Sequence, residues 1–519
     1  MQRREFIKIM GISAIGLATG CGNVRAAVGI KKPNLLVIQT DEHNFRTLGC
    51  YRDTLSPEQA FMWGPKAIVE TPNIDFLAKN GALCTRFYAT TPVCSPSRGS
   101  LISGQYPYNT PVNQNDIALN DDVISFAELM AKDGYSTGYA GKWHLNGPPK
   151  PEWAPSRKFG FNDNRYMFNR GHWKKLELTA NGPRIGAKNA KGNNSYDVDG
   201  ADEKSFTTDW LADRTIEFVK ANKDKSFCYM LAIPDPHGPD TVRKPYDTMF
   251  DNLDYQQPRT YEKFAKNPPS WDNTPKAGPR IQSQSKYFGM VKCIDDNIGK
   301  ILKYLKDNNL MDNTIIVFTS DHGDMRSEHR RQNKSIPQDG SAKVPFIIYY
   351  PKKIKAGTII HEAMGCVDFL PTMLALTNTK TAGKEEGRDY SQLFIDGKAP
   401  AGWKDITFFR GTGYDNDNWV AAATKRYKLV TSPIDEPWLY DLEKDPDEQI
   451  NFYTDPAYRE TAKFLASEML AYAKKYNDPR YKRSKIQADL TWSISGTGPF
   501  VPASQKDDSK QKDTRHYTG

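Results

Sequence analysis

At 519 residues the chain is too long for one simple core, and two packed domains are expected. Hydrophobic residues make up 38%, aromatics 12% and charged residues 26%, a composition that excludes global disorder. The net charge of +9 suits an anionic substrate, yet part of it lies in Arg3, Arg4, Lys8 and Arg25, and no Lys/Arg block with interleaved aromatics occurs, which argues against nucleic acid as a partner.

The N-terminus reads MQRREFIKIMGISAIGLATGCG, basic residues followed by a short apolar run that ends in small ones. That pattern describes an export signal over residues 1–27, since a membrane span needs ~20 apolar residues. Arg3-Arg4-Glu5-Phe6-Ile7-Lys8 resembles a twin-arginine signal, and Ala18-Thr19-Gly20-Cys21 a lipobox that would lipidate Cys21. Cleavage after Val24-Arg25-Ala26 is the competing reading. Either way the expectation is an exported bacterial protein, periplasmic or a membrane-anchored lipoprotein, touching the membrane only through that anchor.

Beyond the signal, apolar runs alternate with amphipathic segments. Residues 34–40 (NLLVIQT) read as a buried strand, 73–80 as a short helix, 123–133 as a helix and 135–140 as a strand. A helix over 208–222 leads into a strand over 227–233, and a long helix over 287–305 precedes strands at 314–319 (TIIVFT) and 345–350. Strands apolar on both faces and separated by helices predict an α/β domain over 33–398, a mixed, mainly parallel sheet sandwiched by helices. Near residue 400 the pattern changes to short strands at 406–410, 419–424 and 427–431, then a helix over 457–476. This predicts a smaller C-terminal α+β domain on an antiparallel sheet over 399–490, with a polar tail at 491–519. Apart from Cys21 and Cys94, the cysteines (Cys50, Cys84, Cys228, Cys293 and Cys366) are odd in number and form no CxxC pair, so buried thiols are expected rather than a zinc site.

In an open parallel sheet, reactive groups collect beyond the carboxyl ends of strands. Four predicted ends carry titratable residues: Asp41-Glu42-His43, then Gly141-Lys142-Trp143-His144, Pro234-Asp235-Pro236-His237 and Asp321-His322-Gly323-Asp324. Gathering Asp41, Glu42 and Asp321 at one point is costly without a cation, and oxygen ligands select a hard one, Ca²⁺ ahead of Mg²⁺. His322 is the awkward member, either a ligand or a partner to one of the acids. No second His/Asp cluster is evident in the sequence.

The segment TPVCSPSRGSLISGQYP around Cys94 carries Cys-x-Pro-x-Arg before a helix opening of small residues and Gly104. With PNLLVIQTDE before it and GKWHL and TSDHGD after it, this resembles the formylglycine-dependent sulfatases of the alkaline-phosphatase-like superfamily, a resemblance that covers roughly residues 33–455. VDFLPT from Val367 and LYDLEKDP from Leu439 match further landmarks of the family. The resemblance implies that a maturation enzyme oxidises Cys94 to formylglycine, whose hydrate attacks sulfur, joining Asp41, Glu42, Asp321 and His322 around one ion. It implies that Arg98 holds the hydrate and a metal ligand, that Lys142 and Lys334 neutralise sulfate oxygens, that His237 protonates the leaving sugar oxygen and that His144 assists the hydrate. Many relatives carry Asp at position 42 and Asn at 322, so Glu42 and His322 depart from the pattern. Asn113, Asn115, Asp116, Arg170 and His172 form the expected recognition patch for a sulfated oligosaccharide. The alternatives are a phosphate or phosphonate monoester hydrolase of the same superfamily, and a catalytically dead glycan-binding lipoprotein.

Overall fold

The computed structural model describes residues 31–262, 267–272, 283–413 and 418–501. The expected export signal and the end of the polar tail lie outside the described residues. The main sheet draws on β1 (Asn34–Asp41), β2 (Ala82–Tyr88), β3 (Ser136–Lys142) and β4 (Asp163–Phe168). After a small hairpin, β5 (Leu176–Thr179) with β6 (Gly182–Ile185), it continues with β7 (Phe227–Pro236), β8 (Thr314–Ser320), β9 (Lys343–Tyr349), β10 (Thr358–Ile360) and β11 (Met364–Gly365). The strands lie in the order β10-β2-β9-β8-β1-β7-β3-β4, with β11 also on β2. All pairings are parallel except the two made by β9.

Strand alternation explains why helices cover both faces. Leu35 and Val37 of β1, Ile315 and Val317 of β8 and Met230 of β7 point to one core with the helices Phe126–Lys132 and Phe369–Thr377. Leu36, Ile38, Ile316, Phe318 and Leu231 point to the opposite core, under Pro72–Lys79, Thr207–Asn222 and Gln284–Asp307. The expected mixed, mainly parallel sheet between helices is therefore the observed one.

The C-terminal unit is an antiparallel sheet of β12 (Thr407–Arg410), β13 (Val420–Ala423), β14 (Tyr427–Thr431) and β15 (Trp438–Asp441), again as expected. One face packs on the helices Arg459–Tyr476 and Ser484–Ser495. The second helix runs past residue 490, where the tail was expected to begin, because Ile486 and Leu490 are buried and Trp492 and Phe500 pack on the same core. The other face meets the large domain through Trp419, Phe409 and Tyr440, with the Phe409 ring stacked on Tyr88 at 5.1 Å. None of the described cysteines is in a disulfide.

Candidate active site

Strands β8, β1, β7 and β3 are neighbours, so the residues trailing their carboxyl ends open onto one cleft. Asp41 is the last residue of β1, Lys142 the last of β3, His237 follows β7, and Asp321 follows β8. Glu42 and His144 both adopt φ of 60°, turning the chain sharply as it leaves the sheet. Gly141 supports this geometry: its φ is +105°, and a Cβ there would sit 1.9 Å from the Ala232 carbonyl oxygen of β7.

The helix Cys94–Ser103 enters the cleft with Cys94 as its first residue and ends on Gly104 at φ 68°. All ten residues are buried, which accounts for its small Ser and Gly side chains and its lack of an apolar stripe. Arg98 lies one turn further on and therefore shares the Cys94 face. Its Nε donates to Asp321 Oδ2 at 2.8 Å, Nη2 to Asp41 Oδ2 at 3.0 Å, and Nη1 to the Lys142 carbonyl at 2.8 Å. One guanidinium thus ties together the ends of three strands.

The Cys94 sulfur lies 3.2 Å from His322 Nε2, 3.7 Å from Asp41 Oδ1 and 3.8 Å from Lys334 Nζ. Ligand atoms of Asp41, Cys94, Asp321 and His322 all fall within 4.8 Å of one another, every one of these residues buried. Two buried carboxylates with a single guanidinium between them suit a hard cation, and the donor set fits one. Glu42, expected among the ligands, lies outside this group. Its Oε2 is 2.8 Å from His237 Nε2 and 3.3 Å from Lys334 Nζ, whereas Oε1 is buried without a hydrogen-bond partner among the described residues.

The charges are set by their neighbours. Burial opposes ionisation of Asp41, but the Lys142 ammonium and Arg98 guanidinium hold its carboxyl well below the usual range. Burial acts likewise on Glu42, and His237 and Lys334 outweigh it. The Cys94 thiol is also pulled well down, against burial, by Lys142, Lys334 and His322. His322 is raised to about 9, because Asp321 beside it overcomes the burial of the ring.

The structure also holds a second His/Asp group that the sequence reading excluded: ligand atoms of Asp41, His172 and His237 lie within 4.8 Å of one another. No spacing rule links residues so far apart, hence the miss. An ammonium already sits there, with Lys142 Nζ 2.5 Å from Asp41 Oδ2 and 2.8 Å from His172 Nε2. His237 Nδ1 lies 2.9 Å from the Gly238 carbonyl, which can only accept, so Nδ1 carries a proton. Its Nε2 lies between the Lys334 ammonium at 2.9 Å and the Glu42 carboxylate at 2.8 Å.

The expected recognition patch divides. Asn115 Oδ1 accepts from the Ser95 N–H at 3.0 Å, satisfying a free donor at the opening of the helix Cys94–Ser103. Asp116 Oδ1 is 3.1 Å from His144 Nε2 and 2.8 Å from Arg170 Nη1, which brings Arg170 to the rim. Asn113 is buried, its carbonyl accepting from Thr412 and Gly413 of the C-terminal unit and its amide without a partner among the described residues. His172 faces inward, against Lys142.

Comparison with known proteins agrees with this arrangement. A family model described as Sulfatase matches residues 33–379, and one described as N-sulphoglucosamine sulphohydrolase, C-terminal, matches residues 327–475. An ulvan-active sulfatase of Formosa agariphila is 28% identical over 490 residues, covering 91% of this chain and 87% of its own length. An N-acetylglucosamine-6-O-sulfatase of Bacteroides thetaiotaomicron is 25% identical, covering 92% and 93%. The structure of BT4656 in complex with its substrate, D-glucosamine-2-N,6-O-disulfate, superposes with a TM-score of 0.69 at 22% identity, covering 86% of this chain and 99% of that one. With the family model spanning most of the chain and Cys94, two lysines and the acids converging as described, the chain belongs to the sulfatase family, enzymes that hydrolyse sulfuric esters.

Proposed function

We propose that this enzyme removes sulfate from a sulfated oligosaccharide, with residue 94 acting as formylglycine beside a single divalent cation, Ca²⁺ in preference to Mg²⁺. The observation that carries the reading is the convergence of Lys334, His322 and Asp41 on the side chain of Cys94 at the opening of a helix. The relatives named for ulvan and for sulfated glucosamine support a carbohydrate as the substrate class. The signal-like first 27 residues support an exported enzyme, periplasmic or lipid-anchored.

Asp41, Asp321, His322 and residue 94 would hold the cation, with Glu42 Oε1 as a further oxygen, and it would withdraw charge from the sulfate and favour an ionised hydroxyl at residue 94. Oxidised and hydrated, residue 94 offers one hydroxyl to attack sulfur and a second whose deprotonation expels the bound sulfate. Lys334 lies beside that side chain and Lys142 beside its neighbour Asp41, and both donate to the sulfate oxygens, where charge accumulates as the ester bond breaks. The backbone donors at the helix opening act on the same anion. Arg98 fixes the two acids and the end of β3, so residue 94 and Lys142 keep one relative geometry. His237 gives its Nε2 proton to the departing sugar oxygen, and Glu42 beside it stabilises the protonated ring before the step. His144, held by Asp116, assists the hydroxyls of residue 94.

The test pairs mass spectrometry of the peptide containing residue 94, from a host with a formylglycine-generating enzyme, with release of sulfate or phosphate from a panel of sulfated sugars, aryl sulfates and phosphate monoesters. An aldehyde or its hydrate together with sulfate release from a sugar is expected. An intact thiol and no turnover would return the dead glycan-binding reading, and faster release of phosphate would return the phosphatase.

A further inference from the structure

The stretch around His172 makes two contacts with the loop that carries His237. The imidazoles of His172 and His237 stack face to face, 3.5 Å between centroids and 5° between planes. Two residues on, the buried Lys174 ammonium donates to the His237 carbonyl at 3.1 Å and to Asp235 Oδ1 at 2.6 Å. Asp235 is itself buried, and its second oxygen accepts from Thr208 Oγ1 at 2.6 Å. The chain is shaped to deliver both side chains. Gly171 turns at φ +118°, where a Cβ would meet the Trp173 ring at 2.4 Å, and Trp173 Nε1 closes the turn on the Arg170 carbonyl at 3.1 Å.

The hydrogen-bond chemistry fixes what His172 does. Lysine ammonium only donates, so His172 Nε2, 2.8 Å from Lys142 Nζ, accepts with its lone pair. A ring that accepts at Nε2 is uncharged, and an uncharged ring can lie face to face with His237. Two imidazolium rings at this separation would repel.

Resting on the sulfatase reading above, we propose that His172 is a positioning residue for the reaction: its Nε2 aims the Lys142 ammonium at the sulfate, and its stacked ring holds His237 with Nε2 toward the leaving oxygen. Lys174 anchors the same loop through its backbone. The two roles are separable, because a phenyl ring can stack but cannot accept.

The experiment uses the matured enzyme, the sugar sulfate with the highest turnover in the panel and 4-nitrophenyl sulfate, whose leaving group needs no proton. His172→Ala is expected to raise KM for both substrates and to lower kcat on the sugar sulfate by at least about tenfold, with less than about threefold loss of kcat on the aryl ester, since general acid assistance contributes ~10²–10⁴-fold. His172→Phe is expected to restore most of the sugar-to-aryl ratio while raising KM for both substrates, and His172→Gln, which keeps an acceptor, to show the smaller KM effect. Should His172→Ala fail to fold, the Phe and Gln variants carry the same comparison. Equal losses on both substrates, unchanged kinetics, or a Phe variant with the Ala variant's sugar-to-aryl ratio would overturn the proposal. A wild-type enzyme that releases no sulfate from any substrate overturns the functional reading first, and this proposal with it.

Discussion

Replacing Arg98 with lysine tests the framework of the site while keeping its charge. The guanidinium makes three bonds in three directions, to Asp321 at 2.8 Å, Asp41 at 3.0 Å and the Lys142 carbonyl at 2.8 Å, and it is 1% exposed. An ammonium on a flexible stem cannot serve three divergent acceptors at those positions, so about two bonds are lost. Hydrogen bonds to charged groups contribute about 1.5–3 kcal/mol each, which puts the loss at roughly 3–6 kcal/mol, toward the lower end because the positive charge remains between the acids. If about 3 kcal/mol of this is felt in the transition state, kcat/KM falls by about 10²-fold. Initial rates of sulfate release measure the kinetic effect, and urea unfolding with a constant m-value measures the stability effect. An Arg98→Lys enzyme within about threefold of wild type in rate and unchanged in stability would show that the three bonds are not what aligns Asp41, Asp321 and Lys142, and the reasoning would fail.

Removing divalent ions with EGTA is expected to abolish turnover and lower the thermal midpoint, with one equivalent of Ca²⁺ restoring both; titration calorimetry showing two tight equivalents would contradict the proposed single-ion site. Gly141→Ala forces a Cβ to within 1.9 Å of the Ala232 carbonyl at a φ of +105°, so a destabilisation of about 3 kcal/mol or more and loss of activity are expected in thermal melts and rate assays. The buried His329 donates to Asp272 Oδ2 at 2.9 Å, and although burial opposes its charge, Asp272 raises it from the ordinary 6.5 to about 9. The folded form therefore binds this proton more tightly than the unfolded chain. The pair contributes stability that is complete below about pH 6.5 and lost as pH rises through about 9, on the order of 3 kcal/mol. Urea midpoints at pH 6 and pH 10 should differ more for wild type than for His329→Phe.

Much of this was legible because the buried strands announce themselves. NLLVIQT and TIIVFT are apolar on both faces, and only a sheet covered on both sides asks for that. β2 escaped the reading because Thr85 and Arg86 interrupt its apolar run at the point where its register with β9 shifts between Cys84 and Phe87. β4, DNRYMF, opens with three polar residues and lies at the sheet edge, so its pattern is weak. The helix Ser484–Ser495 buries a narrow set of apolar residues in a polar sequence and left too faint a period. Within the site, each strand-end motif named its own residues, and β-strand order brought Asp41, Lys142, His237 and Asp321 together. The His172–His237 stack was invisible because it depends on how the loop after β4 folds back, not on any local spacing.

That stack bears on why the site suits a sulfate. Asp41, His172 and His237 have the composition of a second metal site, but Lys142 bonds the first two and Lys334 bonds the third. The protein thus places two singly charged ammoniums where a second divalent ion would otherwise fit. A sulfate monoester carries one negative charge and a phosphate monoester dianion two, so the smaller, divided positive charge matches the weaker anion. Each ammonium has three donors and can follow oxygens that move as sulfur passes from one oxygen to another. Each ammonium is paired with an acid, Lys142 with Asp41 at 2.5 Å and Lys334 with Glu42 at 3.3 Å, as buried charges require. Glu42 serves two partners, Lys334 and His237, with a single oxygen. An aspartate would withdraw that oxygen by the length of one methylene. The departure from the usual residue at position 42 therefore belongs with His172 and His237: a longer acid spans the cleft to a histidine pair.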